Sequence, residues 1–230
     1  MAIPFYLAMT AADFSACRNI PLYPAYMSCH FSPGGQGLSN IPAGLPQGCV
    51  LILDDQLPPS GHDPGLIRSA LESIITSQNC AGLLLDFQRP NNAETGRIAT
   101  ELLRLPCPVC VSHLYAEPLS CPVLIPPCRL TVPLKEHLAP WQGREIWLET
   151  APDSAAYRIT EKGCQMLPHP GDPQYRHYDP ELFCRYGMET EPAALCFSLC
   201  RTKEDLPALL QAAETLGTTA AIGMYREFFP

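Results

Sequence analysis

Gly82-Leu83-Leu84-Leu85-Asp86-Phe87-Gln88-Arg89-Pro90 is the stretch whose reading decides the fold. The run is apolar without alternation, which suits a parallel strand covered on both faces. It ends in Asp86 and, two residues later, Gln88. Residues two apart on a strand face the same way, so an acid and an amide leave this strand on one side. At the C-terminal end of a barrel strand, that is where active sites are built.

Outward from it the same pattern recurs. Apolar runs at Ile3–Met9, Tyr26–Phe31, Cys49–Leu53, Gly82–Phe87, Val109–Ser112, Val123–Ile125, Ile146–Glu149 and Ala220–Tyr225 predict eight parallel strands. Helices are expected between several of them. Asp63 is an N-cap ahead of Pro64, with Leu66, Ile67, Ala70, Leu71, Ile74 and Ile75 at helical spacing. Asn91 or Asn92 caps a second helix through Ile98, Leu102 and Leu103. The fifth and sixth strands leave little room for a full helix between them, and a short helix is expected over Leu134–Leu138. Thr202 with Asp205 predicts the start of a last helix that runs to Leu216 and stops at Gly217. Between the seventh strand and that helix, residues 152–201 change rhythm. A hairpin over Tyr157–Leu167 turns at Lys162-Gly163, and strands at Leu182–Met188 and Ala194–Cys200 form an antiparallel insertion. The reading is one small (β/α)8 barrel over residues 1–230 carrying this insertion. An open doubly wound sheet is the competing architecture.

Bulk composition narrows the function. With 230 residues and 47% apolar content, the chain can bury a substantial core. A net charge of −8 gives no reason to expect nucleic acid or an anionic membrane as partner. Residues 1–17 carry no basic segment followed by a long apolar one, so a cytoplasmic location is the expectation. Twelve cysteines raise the question of zinc. Cys107-Pro-Val-Cys110 is the single close pair, Cys121 and Cys128 follow at poor spacing, and a structural site wants two tight pairs. No metal and no cofactor are expected, and most of the cysteines read as small buried apolar residues. Pro33-Gly34-Gly35-Gln36-Gly37 lacks the lysine of a phosphate loop.

Residues 82–90 resemble the fourth-strand motif of glycoside hydrolase family 18, the chitinase family, roughly D-G-x-D-x-D-x-E-Y-P. Gly82 matches the glycine, Asp86 the last aspartate, Phe87 an aromatic position and Pro90 the closing proline. Ala81 and Leu84 replace the first two aspartates, and Gln88 stands at the catalytic glutamate. Leu51-Ile52-Leu53-Asp54-Asp55 stands where the family has S-x-G-G. The resemblance implies a (β/α)8 barrel, often with an inserted module after strand seven. Gly223-Met224-Tyr225 is similar to its last strand, where an aromatic residue floors the sugar site. It implies a reaction in which the glutamate protonates the leaving oxygen, the sugar's N-acetyl group attacks, and the aspartate orients that group. A primary amide has no proton to give at neutral pH, and general-acid help is worth about 10²–10⁴-fold. Gln88 can still hydrogen-bond a sugar.

Three expectations follow. The first is a carbohydrate-binding pseudoenzyme for an oligosaccharide or peptidoglycan fragment. The second is a hydrolase with a rearranged carboxylate pair drawn from Asp55, Asp86 and Glu149. The third is a structural barrel whose insertion docks a protein partner. Gln88, Asp54, His30, Tyr115 and Tyr225 are the candidate ligand-binding residues. Asp54 and Asp55 equally suit turn capping ahead of a Pro-rich loop, and His30 suits a satisfied core histidine.

Overall fold

The computed structural model describes residues 3–17, 19–35, 37–90, 92–167 and 175–229. In chain order the elements are β1 (Phe5–Met9), α1 (Ala11–Ala16), β2 (Pro24–Phe31), β3 (Leu38–Ser39), β4 (Val50–Asp54), α2 (Pro64–Gln78), β5 (Gly82–Asp86) and α3 (Ala93–Leu102). There follow β6 (Val109–Ser112), α4 (His113–Ala116), β7 (Val123–Ile125), α5 (Leu134–Leu138) and β8 (Ile146–Glu149). The chain then forms β9 (Asp153–Thr160), β10 (Gly163–Leu167), β11 (His177–Asp179), β12 (Cys184–Glu191) and β13 (Ala194–Arg201), and closes with α6 (Leu206–Thr215), β14 (Thr218–Met224) and α7 (Tyr225–Phe228).

Strand β1 pairs in parallel with both β2 and β14, so the order β1-β2-β4-β5-β6-β7-β8-β14 returns to its start. That closure excludes the open doubly wound sheet and leaves an eight-stranded parallel barrel. Strands β4, β6 and β7 are buried at every position, as their unbroken apolar runs require. Ala8, Ala25, Ile52, Leu84, Cys110, Leu124, Trp147 and Ile222 fill the barrel's interior. A second apolar layer lies between β4, β5 and the helices α2 and α3, through Leu53, Leu85, Ile67, Leu71, Ile98 and Leu102. Gly82 is needed for the close approach of β5 to β6: a Cβ there would lie 2.9 Å from the carbonyl oxygen of Pro108.

Caps act where the sequence places them. Asp63 accepts from the Leu66 N–H, and Asn92 from those of Glu94 and Thr95. Asn91 and Gln36 lie outside the described residues. Helix α1 was not expected; Thr10 and Asp13 form a reciprocal capping box at its start. The start of α6 differs from expectation. Thr202 and Asp205 do hydrogen-bond to each other, Thr202 N–H and Oγ1–H both donating to Asp205 at 2.9 and 2.8 Å, but the helix begins at Leu206. Pro207 explains this, because a proline tolerates only the first turn of a helix. The last strand is likewise corrected: it ends at Met224, and Tyr225 opens α7.

The insertion forms its own antiparallel sheet in the order β10-β9-β13-β12-β11. Its barrel-side face buries Ala155, Cys184 and Leu199 against Leu130. Arg201 braces it internally and links it once to the barrel, at Cys128. This fully buried side chain donates Nη1 to Cys128 O at 2.7 Å, Nη2 to Leu182 O at 2.7 Å and Nε to Phe183 O at 3.2 Å.

Candidate active site at the strand ends

Strands β4, β5 and β8 each end in an acid, and the barrel's register brings these acids to one level. Asp54 pairs with Asp86 across β4 and β5, and His30 with Asp54 across β2 and β4. Glu149 ends β8 on the far side. Together with Asp55, Gln56, Gln88 and Arg89 they ring a cavity of about 210 Å³ whose deeper wall is Met27, Ile52, Leu84, Leu124 and Ile222. The expected residues Asp54, Asp55, Asp86, Gln88 and Glu149 are thus brought together.

The loop after β5 carries Gln88 and is fastened at four points. Both oxygens of buried Asp55 accept main-chain N–H groups, from Gln88 at 2.8 Å and Arg89 at 3.0 Å. Arg89 reaches back, donating Nε to Asp55 O at 2.9 Å and Nη2 to Gln56 O at 2.6 Å. Ser112 Oγ donates to Phe87 O at 2.7 Å, and the Tyr115 hydroxyl donates to Arg89 O while accepting from Asn92 N–H at 3.2 Å. Asp55 therefore orders the loop, with both oxygens occupied. Tyr115 stands behind the loop and outside the cavity wall.

Electrostatics separate the remaining acids. The Gln88 side-chain amide donates to Asp86 Oδ1. Burial nonetheless raises the Asp86 carboxyl above its ordinary range, and the charges of Asp54 and Asp55 add to this while the Gln88 hydrogen bond opposes it. Glu149 is pushed up to about 7 by burial, then by Asp86 and Glu227. Nothing among the described residues offers its anion a hydrogen bond. Asp54 Oδ1 accepts from Gln56 N–H at 3.0 Å. His30 Nδ1 lies 2.7 Å from Asp54 Oδ2, close but off the axis of a hydrogen bond, and His30 is set behind the cavity wall.

Tyr225 also stands outside that wall, stacked on Phe229 at 5.1 Å with its hydroxyl 3.6 Å from Cys17 Sγ; Met224 lines the cavity instead. Sequence reasoning missed Arg89, adjacent to Gln88, and the apolar wall residues Met27 and Met224. Among the described residues no cluster of His, Cys, Asp or Glu is placed to hold a metal ion.

The closed barrel with an antiparallel sheet inserted after its seventh strand is a TIM-like (β/α)8 fold, and the solved structures that share it include chitinases and spore cortex-lytic enzymes. No protein-family model matches the sequence, and no curated protein resembles it. The likeness is to solved structures. The spore cortex-lytic enzyme SleL of Bacillus cereus superimposes with a TM-score of 0.55 at 11% identity, over 96% of this chain and 70% of that one. A class V chitinase of Nicotiana tobaccum, a Glu→Gln variant in complex with NAG4, gives 0.59 at 9% identity, over 99% and 94%. A GH18 chitinase of Cycas revoluta, carrying Gly→Trp and Glu→Gln changes and in complex with (GlcNAc)4, gives 0.55 at 10%, over 96% and 94%.

Proposed function

We propose that the protein holds an oligosaccharide of the chitin or peptidoglycan type in the strand-end cavity without cleaving it. The observation that carries this reading is Gln88. It stands on a loop fastened by Asp55 and Tyr115, its amide is engaged with Asp86, and it has no proton to give a leaving group. An apolar wall beneath a polar rim is the common form of a small-molecule site. Two of the similar structures hold a tetrasaccharide in proteins bearing a Glu→Gln change, which supports retention of a sugar after loss of such an acid.

The test is calorimetric titration and product analysis with chitin tetramer and muropeptides, on wild type and Gln88→Glu. Binding without turnover in wild type, with turnover gained in the variant, is expected. Absence of binding by either protein would sink the reading.

A second reading has one observation in its favour. Glu149, raised to about 7 and facing Asp86, is tuned as a general acid working near neutrality would be. Turnover by wild type that disappears in Glu149→Gln would replace the first reading with this one.

A further inference from the structure

The cavity wall is rich in acceptors and short of donors. Asp54, Asp55, Asp86 and Glu149 line it, and of their four carboxyl groups only that of Asp55 is turned into the loop. Its side-chain donors are Gln56, Gln88 and Arg89. The Gln88 amide donates one of its two hydrogens to Asp86, and two Arg89 nitrogens donate to the carbonyls of Asp55 and Gln56. The Gln56 amide at the rim is unengaged among the described residues, so a few amide hydrogens stand against the oxygens of Asp54, Asp86 and Glu149. Arg89, the one cation among the described residues of the wall, is therefore turned onto the neighbouring loop after β4.

The four carboxyl groups are also unequally served. Asp55 has both oxygens on main-chain N–H groups, and Asp54 has the Gln56 N–H with His30 close by. Asp86 has one amide donor, and among the described residues Glu149 has none. What remains is a pair of under-served acceptors above an apolar floor. An acetamido group brings one N–H and a carbonyl that needs a donor of its own, whereas an ammonium brings three donors, no acceptor and a compensating charge. The wall matches the second.

We infer that the unit held between Asp86 and Glu149 is a sugar with a free, protonated amino group, a 2-amino-2-deoxy sugar in place of its N-acetylated form. The inference rests on the saccharide reading above and names the chemistry of the bound unit. The ammonium sits between the two carboxyl groups, with the sugar's C–H face on Leu84, Leu124 and Ile222. Charge-assisted hydrogen bonds are the stronger class, and the ligand's cation supplies what the wall lacks.

The test compares glucosamine tetramer, N-acetylglucosamine tetramer and tetralysine by calorimetry on wild type, Glu149→Gln and Asp86→Asn, with circular dichroism confirming that each variant folds. The glucosamine tetramer is expected to bind wild type at least about tenfold tighter than the acetylated one, with most of that margin lost in either variant. Tetralysine is expected to bind far more weakly, since a net charge of −8 attracts any polycation but the floor fits a ring. An acetylated tetramer that binds as well or better overturns the amine inference and leaves the saccharide reading standing. Equal binding of tetralysine, or a preference unchanged in both variants, also overturns it. Failure of both sugars removes both readings.

Discussion

The side-chain amide of Gln88 donates to Oδ1 of Asp86, so the amide holds one of the cavity's two under-served carboxyl groups in a fixed place. It is also the interaction that opposes the rise of the Asp86 carboxyl caused by burial and by Asp54 and Asp55. Gln88→Leu removes that opposition and is expected to raise the Asp86 carboxyl further. Carbon-13 titration of the aspartate carboxyls checks this; an unchanged midpoint would mean that the amide does not stabilise the Asp86 anion.

Asp55 is expected to matter for stability more than for chemistry. Asp55→Ala leaves the N–H groups of Gln88 and Arg89 without their acceptor. A buried donor left without a partner costs about 1–3 kcal/mol, and these two are only partly buried, so urea unfolding should show a total loss of about 1–3 kcal/mol. Full stability in this variant would show that the loop holds itself.

Glu149 makes stability depend on pH in the direction opposite to most carboxylates. Its folded value of about 7 lies above the ordinary 4.5. Between those values the folded chain keeps a proton that the unfolded chain has lost, so stability falls as pH rises through the interval. Glu149→Gln has nothing to ionise there. It should match wild type near about pH 4 and exceed it near about pH 8 by up to about 3 kcal/mol. Urea midpoints at the two conditions decide it, and equal midpoints at the higher one would show that the carboxyl is not held protonated.

Tyr115 touches the site only through the loop. Tyr115→Phe removes one hydroxyl that donates to Arg89 O and accepts from Asn92 N–H. A stability loss of about 1–2 kcal/mol is expected, together with weaker sugar binding although the cavity wall is unchanged. Stability lost with binding intact would show that residues 87–90 hold their position without this anchor.

Most of the barrel was legible because its signals are local. Unbroken apolar runs gave the eight strands, and Asp63-Pro64 and Asn92 gave two helix starts. Helix α1 was missed because six residues are too few to show a helical period, although Thr10-x-x-Asp13 marks its start. Strand β11 escaped for the same reason, being three residues long. In the site, Asp54, Asp86 and Glu149 were visible as polar residues ending apolar runs. That Asp55 turns into the loop while Asp54 faces the cavity follows from the pairing of β4 with β5 and the folding-back of residues 88 and 89. Neither is local. Met27 and Met224 join the wall through barrel closure, which no stretch of sequence displays.

Arg201 joins the inserted sheet to the barrel through the carbonyl of Cys128 and braces the insertion itself through those of Leu182 and Phe183. Backbone oxygens are present whatever side chains those positions carry, and they neither titrate nor exchange partners with salt. The attachment thus combines one arginine bond to the barrel at Cys128 with the apolar face of Ala155, Cys184 and Leu199 on Leu130. The outward strands of the insertion are free to diverge in sequence, as antibody loops do on their framework, without the sheet coming away from the barrel.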